Sequence, residues 1–196
     1  MPRPSPAPRD LRAQRTRAAL LSAFNELVLA RPYESIRVAD VIASARVGRS
    51  TFYEHFRDKD HLLRASLAAP ISALATLLDA RQDVAHAEAM LLHFAENRRR
   101  ALALLRGTPH RHLVRALREQ LEPRLAAHAL RNGTRDGARS GGASQPRLMT
   151  LATTQLAGAL LAVLEAWLGE ELEGSAKEIA RAMQSAALSL RGHATR

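Results

Sequence analysis

The stretch IRVADVIASARVGRSTFYEHFRDKDHLL, residues 36–63, decides how this chain is read. Val38, Val41 and Ile42 share one side of a helix predicted over 38–45, and Phe52 and Phe56 lie one turn apart on a second, predicted over 49–56. Arg46-Val47-Gly48 leaves room only for a tight turn between them. Two short helices joined this way, the second held by internal aromatics, have the geometry of a helix-turn-helix. A recognition helix must be small enough to enter the major groove of DNA, and packing on its inner face must fix its orientation. Phe52 and Phe56 supply that inner face, against Val38, Val41 and Phe24 of a preceding helix. The outer face then carries Arg49, Ser50, Thr51, Tyr53, Glu54 and His55.

Upstream, Leu20, Leu21, Phe24, Leu27 and Val28 mark one face of a helix that Pro32 ends. Residues 1–9 hold four prolines and two arginines and read as a disordered arm. Downstream, Asp58 is an N-cap for a helix over 59–78. Further helices are expected over 84–106, broken near Asn97, and over 109–131. The latter has Thr108 as N-cap and Pro109 in its first position, after Gly107 closes its predecessor. Residues 132–145 contain four glycines and no large apolar residue, a flexible loop. Two long helices follow, over 147–169 and 176–191, the second opened by a capping box of Ser175 and Glu178. The expectation is an all-α protein of about nine helices. A helix-turn-helix domain covers 10–58, and a second helical domain covers 59–196.

Composition agrees. Apolar residues make up 46% of the chain but aromatics only 4%, which disfavours strands. The formal net charge is +10 and unevenly spread. Residues 1–64 carry 12 basic against 7 acidic side chains, residues 65–146 again 12 against 7, and the last fifty 5 against 5. The basic excess suits a polyanionic partner. Part of it is a general preference for arginine, since Lys59 and Lys177 are the only lysines. The neutral last fifty residues suit a surface that meets its own copy, where two basic faces would repel. With no cysteine, disulfides, thiolate metal sites and a cysteine nucleophile are excluded. The N-terminus lacks a signal-peptide pattern, and the longest apolar run, Leu156 to Leu168, is interrupted by Glu165. A cytoplasmic protein without a membrane partner is expected. The eight histidines show no metal-ligand spacing, and neither a phosphate loop nor a nucleophile constellation occurs. No cofactor, metal or enzymatic activity is expected.

Thr51-Phe52-Tyr53, His55-Phe56, Lys59 and Leu62, preceded by Asp40-Val41 and by Ala45 and Val47, resemble the tetracycline-repressor (TetR) family of bacterial regulators. The resemblance covers roughly residues 10–64. Three positions depart from that pattern: Arg46 stands where the family usually has glycine, Gly48 where serine or threonine commonly caps the recognition helix, and Arg37 where threonine is usual. The resemblance implies a double-stranded DNA operator as partner. Its implied contacts agree with the chemistry of the side chains. Lys59 at a helix start, Tyr53 and His55 suit phosphates, and Arg37 can reach one. Arg49 can donate two bonds to a guanine edge, Ser50 and Thr51 can read a base or a thymine methyl, and Glu54 can accept from a cytosine amino group.

For the rest of the chain the resemblance implies an effector cavity and a homodimer. Leu74, Leu78, Leu91, Phe94, Leu102, Leu105, Leu113, Leu117 and Leu151 are the apolar candidates for the cavity, with Thr154 and Gln155 as polar anchors, so a mainly apolar effector is expected. Ala152, Ala159, Val163 and Trp167, then Ile179, Met183, Ala186 and Leu190, form stripes that would pair with their copies in a four-helix interface. The expected function is a repressor released by a small molecule. The rivals are a regulator of the same fold without an effector, and a helical enzyme with a vestigial helix-turn-helix.

Overall fold

The computed structural model describes residues 8–79, 84–131 and 144–194. Among them nine α-helices and no strand occur, and the internal contacts part the chain into two compact units between Leu67 and Ala68. Most of the expected arm, residues 1–7, and most of the expected loop, residues 132–143, lie outside the described residues.

In the first unit, α1 (Pro8–Ala30) starts within the segment expected to be an arm. Proline is tolerated in a first helical turn because its missing N–H would have no partner there. The buried face of α1 is Leu20, Ala23, Phe24 and Val28, while Leu29 is exposed. After Pro32 the chain makes a 3-10 turn at Tyr33–Ser35 that the sequence pattern does not announce. The turn buries Tyr33 and leads to the buried Ile36. Next come α2 (Val38–Ala45) and α3 (Arg49–His55). Phe56 lies just past the end of α3 in extended backbone, its N–H still bonded to the Phe52 carbonyl at 2.8 Å.

The turn between α2 and α3 contains a left-handed residue at the position where the resemblance leads one to expect glycine. Arg46 has φ 54°, a left-handed angle that glycine adopts freely and other residues adopt at a cost. What holds it is a closed helix end: the Arg46 N–H donates to the Ala43 carbonyl and the Val47 N–H to that of Ile42, both at 3.2 Å. Gly48, by contrast, has ordinary extended angles (φ −72°, ψ 156°), and a Cβ there would make ordinary contacts with Thr51 Oγ1 at 3.5 Å and Ser50 Oγ at 3.8 Å. Glycine at 48 is therefore not required by the backbone; it leaves α3 without a side-chain cap.

Helix α4 (Lys59–Ala75) runs across the division between the units, with Pro70 inside it, and ends in a 3-10 turn at Thr76–Leu78. Asp58 caps it as expected, accepting from the His61 N–H at 2.6 Å. The first unit extends beyond the expected boundary at 58 because the first turns of α4 are tied back to it. Leu62 and Leu63 are fully buried, and Ser66 Oγ donates to Asn25 Oδ1 at 2.8 Å.

The second unit continues with α5 (Ala85–Glu96), α6 (Arg98–Leu105), α7 (His110–Arg131), α8 (Ser144–Leu168) and α9 (Ala176–Ala194). The break at Asn97 falls where expected, and α8 starts before 147. Leu113, Leu117, Leu121 and Leu125 make a buried row on α7, and Leu156, Leu160 and Leu164 a buried row on α8, its most extensive partner. Arg106 Nε donates to Glu165 at 3.1 Å, and Arg98 pairs with Glu170, tying α6 to the end of α8. The α9 capping box forms as expected: Ser175 N–H donates to Glu178 Oε2 at 2.8 Å, and Glu178 N–H to Ser175 Oγ at 3.3 Å. The bond from the Ser175 backbone holds the Glu178 carboxyl below the usual carboxylate range. Two helical stretches, Lys59–Leu78 and Arg147–Leu168, are by length and composition apolar enough to cross a membrane, contrary to expectation. Part of that apolarity is used for packing, since Leu74, Leu77 and Leu78, and Leu156, Leu160 and Leu164, are buried in the core.

The strained turn yields the first prediction. Arg46→Gly removes about 1–2 kcal/mol of left-handed strain, offset by about 0.5–1 kcal/mol of extra chain entropy. Amide hydrogen exchange in residues 38–56 of the full chain should therefore slow by a few fold. An unchanged rate would show that the strain at Arg46 is no larger than the chain entropy that glycine adds.

Candidate nucleic-acid interface

The inner face of α3 is sealed. Phe24, Val41 and Phe52 have no exposed surface, and Phe56 has 1%. The Phe52 and Phe56 rings lie 6.0 Å apart, and Phe24 meets Tyr33 edge-on at 6.2 Å. Val38, expected among the inward residues, is only half-buried and lines a groove between α2 and α3. Arg17 covers the outside of this cluster, its guanidinium 4.6 Å from the Phe56 ring centroid. Sequence reading missed that contact. The available signal is that Arg17 stands in helical register with Leu20 and Phe24.

The outer face presents Arg49, Ser50, Tyr53 and Glu54 to solvent, with Thr51 and His55 half-buried beside them. Arg37 is exposed at the start of α2, where its N–H donates to Asp40 Oδ2 at 2.7 Å. The same Asp40 oxygen accepts from Arg31 at 2.7 Å, so one carboxylate holds both the start of α2 and the end of α1. These residues, with Tyr53 and Arg49 on the next helix, are brought onto one unit by the fold.

Lys59 is placed differently from a freely solvated phosphate ligand. Its ammonium donates to the Tyr33 carbonyl at 2.8 Å and lies 4.1 Å from the Tyr33 ring centroid, leaving two N–H groups beyond that bond. The Tyr33 hydroxyl in turn donates to Asp60. Burial first, and then this bond to a carboxylate, push the Tyr33 hydroxyl well above the usual tyrosine range. A buried phenol that donates to an anion resists becoming an anion itself. Tyr33, Lys59 and Asp60 thus staple the 3-10 turn to α4. Sequence reading singled out none of the Tyr33 contacts, because the partners are more than twenty residues apart.

The segment that carries this arrangement, and the fold around it, are similar to known proteins. Residues 20–66 match the family model described as bacterial regulatory proteins, tetR family. Over this segment, about a quarter of the chain, the protein is similar to the tetR family. A TetR transcriptional regulator from Streptococcus agalactiae is 25% identical, covering 91% of this chain and 97% of that one, with a TM-score of 0.57. A TetR-family transcriptional regulator from Syntrophomonas wolfei is 17% identical over 91% of this chain and 96% of its own, with a TM-score of 0.56. The dihydroxyacetone kinase operon activator DhaS shares the fold at 16% identity, over 91% and 97%, with a TM-score of 0.52. No curated protein sequence matches significantly. The residues that match the tetR-family DNA-binding model lie within the first unit, and α2 and α3 fall inside the match.

In the second unit the cavity candidates divide. Leu74, Leu78, Leu91, Leu105, Leu113 and Leu117 are buried, while Phe94 and Leu102 are half-buried. Leu151, Thr154 and Gln155 face outward instead. Each helical residue turns the side chain by about 100°, so the inward polar position belongs to Thr153, not Thr154. Thr153 Oγ1 donates within its own helix, to the Met149 carbonyl at 2.9 Å. Of the interface candidates, Ala159, Ala186 and Leu190 are exposed, and Ala152, Val163 and Trp167 are half-buried. Ile179 and Met183 are buried within the chain itself. Among the described residues no group of three or more acidic or histidine side chains is placed to hold a metal.

The Tyr33 environment has a pH consequence. The folded state keeps the phenol protonated beyond the ordinary value of 10.0, so its contribution is complete below that pH and is lost as pH rises above it. In a Tyr53→Phe background, which leaves Tyr33 as the single tyrosine, phenolate absorbance should rise only together with loss of the helical signal. Ionisation with helix content intact would show Tyr33 to be accessible.

Proposed function

We propose that this protein is a cytoplasmic transcriptional regulator that binds an operator as a homodimer and is released from it by a small, mainly apolar effector. The observation that carries the DNA-binding part is the division of α3 into a sealed inner face and a polar outer face. In this reading Arg49, with Ser50, Thr51 and Glu54, reads base edges, and Arg37, Tyr53, His55 and Lys59 approach phosphates. Two recognition helices would sit about 34–36 Å apart, one turn of B-DNA. Repression is the simplest output, and the activator name of one structural neighbour makes activation the alternative to test. Effector release requires that the effector and DNA favour different conformers.

The dimer part is supported by leucines left on the surface of α8 and α9. Leu148 is 59% exposed, Leu151 54% and Leu190 38%, in the stretch where the charge is balanced. With Ala159 and Ala186 they form the outward faces that a second copy would cover. Ile179 and Met183 then act beneath this surface, supporting it.

Two experiments test the reading. Binding to DNA upstream of its own gene and to random duplexes, across a salt series, separates the contacts. Arg49→Ala should relax preference at one base-pair position per half-site, at a cost of about 1–3 kcal/mol there. Lys59→Ala should weaken all sequences alike and flatten the salt dependence by about one unit per phosphate contact. Because Lys59 also holds Tyr33, that variant should melt lower, whereas Arg49→Ala should not. Equal loss for every sequence in Arg49→Ala would make it a backbone contact. In light scattering the wild type should have a dimer's mass, and Leu151→Glu with Leu190→Glu should give folded monomers. A monomeric wild type at micromolar concentration would refute the dimer.

A further inference from the structure

Arg49 and Tyr53 stand one turn apart on α3, and the Arg49 guanidinium carbon lies 5.7 Å from the Tyr53 ring centroid. The ring is itself held. Its partner is the fully buried Phe52, which it meets edge-on at 5.3 Å and 88°. Phe52 is fixed in turn against Phe56. A relay of rings thus runs from the core to an exposed cation. Both residues open onto a groove of about 360 Å³ between α2 and α3, whose other walls are Val38, Ala39, Ile42 and Ala43. The two alanines are exposed and too small to fill it.

Four other arginines pair with carboxylates: Arg31 with Asp40, Arg98 with Glu170, Arg106 with Glu165, Arg115 with Glu119. Among the described residues no carboxylate pairs with Arg49; its contact is the tyrosine face. The difference matters chemically. A carboxylate occupies the N–H edges of a guanidinium, whereas an aromatic face occupies only its flat side and leaves the edges able to donate. With no carboxylate on it, the Arg49 guanidinium beside the Tyr53 ring keeps the two parallel N–H groups that a guanine O6/N7 edge requires. Its flexible stem is also restrained before DNA arrives, which reduces the entropy lost on binding.

We propose that Tyr53 is a positioning residue for base readout: its ring, and not only its hydroxyl, sets the guanidinium of Arg49 for a bidentate contact in the major groove. This rests on α3 reading DNA as proposed above, and it adds a second role to a residue assigned there to phosphate. It separates the ring from the hydroxyl. Tyr53→Phe retains the ring and loses only the hydroxyl. Tyr53→Leu keeps apolar bulk and loses the face, with Tyr53→Met as a second ringless variant.

The test uses the full-length protein and a pool of duplexes of randomised sequence, sequenced before and after selection. Arg49→Ala identifies the base-pair position that Arg49 reads. At that position Tyr53→Phe should keep the wild-type preference even where overall affinity falls. The ringless variants, checked for unchanged circular dichroism, should lose about 2- to 5-fold of the discrimination, the size of an exposed cation–π contact. In an Arg49→Ala background Tyr53→Leu should change the preference there no further. Equal losses in Tyr53→Phe and Tyr53→Leu would assign the effect to the hydroxyl and overturn the proposal. So would a ringless variant that retains full discrimination while Arg49→Ala loses it; base reading by Arg49 would then stand without Tyr53. If Arg49→Ala relaxes no position, base reading by Arg49 falls and the positioning role falls with it.

Discussion

Phe52 has no exposed surface, and α3 around it is only seven residues long. A helix of that length does not persist in water on its own, because nucleation costs more than its few hydrogen bonds return. What makes α3 a helix, and aims it, is the burial of Phe52 and Phe56 in a core that also holds Phe24, Val41 and Ile36. Truncating a buried aromatic of this kind costs about 3–5 kcal/mol, a large part of a small domain's stability. Every outward property of the helix-turn-helix depends on that seat. Arg49, Ser50 and Glu54 reach outward because their neighbours are locked inward.

The polar contacts around the seat do a different job from the apolar ones. Asp40 joins the end of α1 to the start of α2, the Ala43 and Ile42 carbonyls close the end of α2, and Lys59, Tyr33 and Asp60 join the 3-10 turn to α4. None of these adds much stability alone, since exposed ion pairs contribute little and net hydrogen bonds about 1 kcal/mol. Together they set the path of the chain between helices. They also tolerate the chain's departures from the usual family pattern. An arginine at a left-handed position survives because the helix end around it is fully bonded, and a glycine cap survives because packing already holds α3.

The second unit is built on another rule. Its core is two facing rows of leucine at four-residue spacing on α7 and α8, with aromatics almost absent. Such rows allow long helices to lie along one another with ridges in grooves. They also make the register of α8 decisive, since one residue of rotation exchanges Thr153 for Thr154 at the interior. The same rotation turns Leu148 and Leu151 to the surface, where they are unexplained by anything in one chain and suit a second copy.

Local chemistry made much of this legible. Helix ends were announced by Pro32, Asp58, Asn97 and the Ser175–Glu178 box, because capping and proline effects act over three or four residues. The aromatic spacing of Phe52 and Phe56 determined the inner face of α3, and so which residues face out, since helical periodicity alone divides the two. The all-α class followed from composition. The rest was decided in three dimensions. Tyr33 with Lys59 and Asp60, Arg17 over Phe56, and Ser66 with Asn25 join residues far apart in the chain, so no local pattern encodes them. The division between units at Leu67 rather than 58 depends on where α4 packs, not on where it begins. The inward face of α8 was ambiguous because Ala, Thr, Leu and Gln alternate too evenly along it for periodicity to choose, and only packing against α7 settled that Thr153 turns in.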